Sequence, residues 1–159
     1  MSDLQSLYQT IILEHSKARH GAATLTPLDE AVSRGAASGL SVAESHQINT
    51  TCGDEVTLRV SIAAGTVTDL VWSGEGCSIS QASASILTDT LRGLSTTEAR
   101  ALLDNFREML RSRGKIEPDE EILGDAAAFG GVSRYPARVK CAMLPWVAFE
   151  AALIETESR

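Results

Sequence analysis

Four side chains in this sequence have types and placement that suit one shared chemistry. Cys52 and Asp54 stand two residues apart in Thr50-Thr51-Cys52-Gly53-Asp54. The glycine between them lets the chain turn sharply, so a thiol and a carboxylate can face one point. Cys77 follows Gly74-Glu75-Gly76, and Cys141 ends Tyr135-Pro136-Ala137-Arg138-Val139-Lys140-Cys141; a helical pattern begins after each. A thiol at a helix N-terminus meets free amides and the positive end of the helix dipole, which favours thiolate. Thiolate is the form that binds metal and attacks sulfur. Three sulfurs and one carboxylate oxygen make four ligands, a tetrahedral set for zinc. A second reading stays open on residue types alone, in which the cysteines are small buried apolar side chains. Zinc hydrolysis is disfavoured, because no His-Glu-x-x-His occurs and no histidine stands close to a cysteine.

These residues need elements to position them. Leu4, Leu7, Ile11 and Ile12 recur at helical spacing from Asp3 to about His20. His15 and His20 lie on or just after that helix, and His15 reads as a surface or boundary residue. Gly21 to Ser45 is weakly patterned, rich in Ala, Ser and Gly, and reads as a long connection with some extended or turn structure. A strand is expected to begin at His46 and lead into the Cys-Gly-Asp turn. Val56, Leu58, Val60 and Ile62 alternate with polar residues, the mark of a half-buried strand. Ala63-Ala64-Gly65-Thr66 turns the chain into a returning strand, Val67 to Trp72.

Ser78-Ile79-Ser80-Gln81 has capping-box spacing, with a helix expected through Leu87 to about Arg92; Ser95-Thr96-Thr97-Glu98 repeats the pattern before a helix that ends near Gly114. Ile122 to Phe129 suggests a short helix closed by Gly130-Gly131. Proline deep in a helix loses a hydrogen bond and clashes with the carbonyl four residues back. Pro145 therefore sets the start of the last helix at Cys141 or Ala142, with its end near Glu155. The fold class is α+β, with a small antiparallel sheet of about three strands covered on one face by helices.

The chain of 159 residues fits one compact domain, 1–159, with a real core. Aromatics are only 4 %, so that core must rest on Leu, Ile, Val and Ala. A formal charge of −7 repels phosphate backbones and argues against nucleic-acid binding. No apolar run approaches the roughly 20 residues of a membrane span, and the N-terminus has no signal-peptide pattern. A cytoplasmic location is the expectation. Three cysteines, an odd count, point away from a disulfide framework and toward metal or reactive thiols.

Three stretches carry a family resemblance: Thr-Cys-Gly-Asp at 51–54, Gly-Glu-Gly-Cys-Ser-Ile-Ser-Gln-Ala-Ser-Ala-Ser at 74–85, and Pro-Ala-Arg-Val-Lys-Cys-Ala at 136–142. Together they resemble the SufU family, the zinc-binding branch of the IscU/NifU-N-like iron–sulfur assembly proteins. Lys140 stands where IscU scaffolds carry a histidine before the last cysteine, and the interval from Cys77 to Cys141 has the longer SufU spacing. The Leu-Pro-Pro-Val-Lys segment of IscU is absent from the sequence.

The resemblance implies an IscU-like fold with a long C-terminal helix. It implies Cys52, Asp54, Cys77 and Cys141 as zinc ligands, Cys52 as the sulfur acceptor and Arg138 as an arginine beside the site. The implied partners are a PLP-dependent cysteine desulfurase of the SufS type and downstream iron–sulfur assembly proteins. In the family's mechanism a desulfurase histidine takes over a zinc position and frees the acceptor thiolate. Three thiolates, a carboxylate and a dication sum to about −2, which the charge of Arg138 would offset. An iron–sulfur scaffold carrying a transient cluster is the alternative, since cysteine sets serve clusters as readily as zinc. This chain departs from the family pattern at His15-Ser16-Lys17-Ala18-Arg19-His20, in the Ala-rich stretch that follows, and at Pro145.

Overall fold

A computed structural model describes residues 3–158. The chain runs through α1 (Asp3–Ala18), α2 (Leu28–Ala37), β1 (Ser41–Asn49), β2 (Asp54–Ala63), β3 (Thr66–Glu75) and α3 (Ser78–Leu91). It continues through α4 (Thr96–Arg111), α5 (Glu120–Leu123), a run of 3-10 turns (Gly124–Arg134) and α6 (Pro136–Glu157). The strands form one antiparallel sheet in the order β1-β2-β3. This is the α+β, three-stranded architecture expected above. No helix among the described residues is long and apolar enough to cross a membrane.

The β2–β3 hairpin closes through Ala64 and Gly65, both at positive φ (50° and 75°). Two left-handed residues give the twist that a two-residue hairpin needs. The register sets Ala43, Val60 and Leu70 on one face, followed by Leu58 with Trp72. That face carries the core, where α6 lies across β1 and β2, α3 packs beside α6, and α1 lies on α3. The same face ends, at the far end of β1 and β2, in the paired residues Asn49 and Asp54.

The phenylalanines and tryptophans are all used in the core. Trp72, Trp146, Phe106, Phe129 and Phe149 are buried, and Phe106 stacks on Trp146 with centroids 4.2 Å apart. The core is therefore an aliphatic one pinned by every Phe and Trp in the chain.

The stretch Gly21 to Ser45, expected to be a connection, holds α2 and the first half of β1. Leu28, Ala31, Val32 and Gly35 do recur at helical spacing, but Ala and Gly add little contrast to the pattern. Gly35 lets α2 approach the outer sheet face: a Cβ there would lie 2.6 Å from Val42. Strand alternation is lost at Val42 and Ala43 because both are buried, one beneath α2 and the other on the core face. Beside them the buried Arg59 guanidinium donates to Glu44 Oε1 at 2.7 Å and to the Thr26 carbonyl at 2.6 Å.

Three local expectations are corrected. The N-cap of α3 is Cys77, not Ser78, and no side chain caps it. The segment after α5 forms 3-10 turns that run through Gly130-Gly131, starting where Gly124 takes φ 55° and ends the α conformation. The last helix begins at Pro136, not at Cys141, so Pro145 is inside it. Pro136 has no amide to waste and a preset φ at the first helical position. The cost of Pro145 is one ladder bond to the Cys141 carbonyl, a loss that burial of α6 against the sheet outweighs. Ser83 of α3 donates to the next carbonyl, Ala142 O, at 2.5 Å and accepts from Trp146 Nε1 at 2.9 Å.

The second capping box is present: Ser95 Oγ accepts from the Glu98 amide at 3.0 Å, and Glu98 accepts from the Ser95 amide at 3.2 Å. Ser95→Ala is expected to cost about 1 kcal/mol of stability, read as an earlier midpoint in urea unfolding with an unchanged slope.

Candidate metal centre

Three elements bring the site together at the end of the core face. The β1–β2 turn is held by the Gly53 amide donating to Asn49 O at 2.8 Å and the Thr51 amide donating to Asn49 Oδ1 at 3.1 Å. Gly53 takes φ 77°, which a side chain would strain, and this presents Cys52 at the surface. Cys77 occupies the N-cap position of α3, so the expectation of a thiol at a helix N-terminus holds there. Cys141 enters from the second turn of α6 and is buried. It is not at a helix N-terminus and draws no stabilisation from free amides.

Asp54 is the hub. Its carboxylate accepts from the Cys77 amide at 3.0 Å and from the Cys77 thiol at 3.1 Å. Burial pushes the Asp54 carboxyl up, but hydrogen bonds from the Cys77 thiol and amide, and from the Cys141 and Cys52 thiols, outweigh it and hold it below the usual carboxylate range. Asp54 is thus an anion in a buried place. Gly76 keeps room for it, since a Cβ there would fall 2.7 Å from the Asp54 carboxyl carbon and 2.7 Å from Ser80 Oγ. Gly76→Ala is expected to lower metal affinity and melting temperature together, read by chelator competition and thermal unfolding.

The sulfurs lie close. Cys52 Sγ is 3.6 Å from Cys141 Sγ, and one ligand atom each from Cys52, Asp54 and Cys141 lies within 4.8 Å of the others. Two zinc–sulfur bonds of about 2.3 Å at a tetrahedral angle put their sulfurs about 3.8 Å apart. The Cys52–Cys141 pair fits that spacing. Cys77 joins the three through its hydrogen bond to Asp54, outside the tightest group. Burial, then hydrogen bonds with Cys52, Asp54 and Cys77, push the Cys141 thiol well above its ordinary pKa. A buried thiol beside a carboxylate stays neutral until a cation replaces its proton. The donor set thus suits a thiophilic dication.

The four residues line or adjoin a cleft of about 590 Å³ with Arg138 and Lys140 on its wall. Arg138 is exposed, with its guanidinium carbon 4.9 Å from the centre of the Tyr135 ring. Lys140 is exposed in the position before Cys141.

Sequence reasoning missed two neighbours. Asn49 Nδ2 lies 3.9 Å from Cys141 Sγ, and Ser80 Oγ lies 3.8 Å from Cys77 Sγ while donating to Cys77 O at 3.1 Å. Asn49 reads in the sequence only as part of the strand that leads into the turn, because its partner is remote in sequence. His15, expected at the surface or its boundary, is buried at 8 % exposure and bonded to Ser85 and Asp125. Those partners lie 70 and 110 residues away, beyond any local pattern.

Comparison with known proteins gives the family. The NifU-like N terminal domain family matches residues 8–142. The chain is 35 % identical over 154 residues to the iron-sulfur cluster assembly scaffold protein IscU of Streptococcus pyogenes serotype M1, covering 96 % of this chain and 86 % of that one. It is 34 % identical over 156 residues to the zinc-dependent sulfurtransferase SufU of Bacillus subtilis, covering 98 % and 95 %. Among solved structures, a putative scaffold protein for the SUF system from Fervidobacterium islandicum superposes with a TM-score of 0.70 at 32 % identity, covering 90 % of this chain and 93 % of that one. A NifU-like N-terminal protein from Brucella abortus superposes with a TM-score of 0.78 at 25 % identity over 99 % of both chains. With a family model over most of the chain, likeness over nearly its full length and a shared fold, this chain belongs to the NifU-like N-terminal domain family, among the SufU and IscU iron–sulfur assembly proteins.

Proposed function

We propose that this chain is a zinc-dependent sulfur acceptor in cytoplasmic iron–sulfur cluster assembly, taking persulfide sulfur from a PLP-dependent cysteine desulfurase of the SufS type through Cys52. The observation that carries this reading is the contrast between Cys52 and Cys141. Cys52 is exposed on a turn over an open cleft, 3.6 Å from a sulfur that is buried in a helix. One thiol can leave a shared cation and meet a partner while the other stays. Lys140 before Cys141 and the long interval between Cys77 and Cys141 favour the SufU branch over the scaffolds.

Zinc held by Cys52, Asp54, Cys77 and Cys141 would keep the thiols deprotonated while lowering their reactivity. The chemistry of the chain itself is thiol–disulfide exchange. The Cys52 thiolate attacks the terminal sulfur of the desulfurase persulfide. A sulfur–sulfur bond to Cys52 forms, the one in the enzyme breaks, and the desulfurase thiolate leaves. Arg138 on the cleft wall supplies positive charge where two anionic sulfur groups approach. The test is to incubate the zinc-loaded protein with desulfurase and cysteine, then map the added sulfur by peptide mass spectrometry. Sulfur on Cys52 supports the reading; a protein that stimulates the desulfurase without ever carrying sulfur on Cys52 overturns it.

The scaffold reading rests on the same open, cysteine-lined cleft and on the likeness to an IscU over nearly the whole chain. Anaerobic reconstitution in competition with zinc separates the two. A stable cluster that passes to an apo-protein supports the scaffold role, and zinc retention supports the acceptor.

A further inference from the structure

We propose that His15, His20 and Asp89 form a second metal site, for a borderline divalent cation such as zinc or nickel, separate from the cysteine centre. One ligand atom of each lies within 4.8 Å of the others. The three come from different places: His15 from α1, His20 from the turn after it, and Asp89 from α3.

The buried ring of His15 is set up as a ligand. Its Nε2 lies 3.0 Å from Asp125 Oδ2, and its Nδ1 lies 2.8 Å from Ser85 Oγ. An ionised carboxylate only accepts, so in the neutral ring Nε2 carries the proton and Nδ1 presents its lone pair. Ser85 Oγ already accepts from the His20 amide at 2.9 Å, which leaves its own proton for Nδ1. A carboxylate behind one imidazole nitrogen is the outer-sphere arrangement of histidine metal ligands, and at the other nitrogen a cation would take the place of the Ser85 hydroxyl proton, which can rotate away.

His20 is fixed as well. Its carbonyl accepts from Trp72 Nε1 at 2.8 Å, and its ring meets that of His15 edge-on with centroids 5.2 Å apart. Its Nδ1 stands 2.6 Å from Asp89 Oδ2. A cation there would take the place of the proton between them, and the neutral ring would then carry its proton on Nε2. Two carboxylates, Asp89 and Asp125, with two neutral imidazoles offset a dication. Imidazole nitrogen with carboxylate oxygen and no sulfur suits zinc, nickel, cobalt or copper and not magnesium. The side chains of His20 and Asp89 are 49 % and 47 % exposed, which leaves a path for the ion and room for water ligands. An ion so placed would tie the end of α1 to α3, the helix that has Cys77 at its N-cap position. This site stands apart from the proposed sulfur transfer and does not depend on it.

The test is equilibrium dialysis of protein already holding one zinc per chain against added zinc, and separately nickel, with metal counted by mass spectrometry. The expected result is a second equivalent that is lost in His20→Ala and in Asp89→Ala, while the first is kept. Asp125→Asn should weaken the second equivalent about tenfold to a hundredfold. The imidazole nitrogens of His15 and His20 should shift together in NMR spectra as it binds. Absence of a second equivalent, or a second equivalent untouched by His20→Ala and Asp89→Ala, overturns the proposal.

Discussion

Cys52→Ala is expected to abolish sulfur acceptance and stimulation of the desulfurase while leaving the fold in place. Cys52 sits on an exposed turn, and the bonds that shape the turn run from the Gly53 and Thr51 amides to Asn49, not through its sulfur. Removing the thiol therefore takes away the proposed acceptor and little packing. Desulfurase turnover in the presence of the variant should fall to that of the desulfurase alone, a complete loss of the added rate. The circular dichroism spectrum should match that of the parent protein. Cys141→Ala gives a different signature, because its sulfur is buried and shared with Asp54 and Cys52. That variant should lose metal, and stimulation should fall through loss of the centre, not through loss of the acceptor. Desulfurase stimulation equal to the parent from Cys52→Ala would defeat the acceptor assignment.

Asp54→Ala is expected to lower zinc affinity by more than about a hundredfold, since even outer-sphere partners of metal ligands are worth tenfold to a hundredfold. Competition with a chelator of known affinity measures this. Asp54 both offers an oxygen and holds Cys77 through its amide and thiol, so its loss affects two ligands at once. Asp54→Asn keeps the shape but not the charge, and should fall between the two.

The pH dependence has a definite sign. Asp54 is held below the usual carboxylate range, so it is ionised at neutral pH. Cys141 is held above the usual thiol range, so in the metal-free protein it is protonated there. Metal binding must expel thiol protons, and affinity rises with pH by about tenfold per unit for each proton displaced. Calorimetry in buffers of different ionisation heat should show protons released on zinc binding. For Asp54 alone the depressed carboxyl stabilises the metal-free fold above its unfolded pKa, and this is lost as pH falls through the folded value.

Much of the architecture was legible because it is written in local pattern. The β2–β3 hairpin shows in the alternation of Val56, Leu58, Val60 and Ile62 and in the Ala64-Gly65 turn. The α4 cap shows in Ser95 and Glu98. The pattern failed where burial is two-sided or where small residues do the packing. Val42 and Ala43 are covered from opposite faces, and α2 meets the sheet through Gly35. Pro145 misled for a related reason: a local rule priced a lost helix bond without the burial that offsets it.

The sequence alone singled out Cys52, Asp54, Cys77 and Cys141 as candidates, with Gly53 between two of them and glycines before Cys77, because side-chain chemistry and sharp turns depend on residue type and near neighbours. Only the tertiary structure decided that Asp54 is the hub, that Cys141 enters from inside a helix, and that His15 is buried between α1, α3 and the 3-10 turns. Each of those rests on contacts between segments far apart in the chain, where burial raises the cost of a lone charge and a partner's hydrogen bond settles its protonation. No periodicity along the chain carries that information.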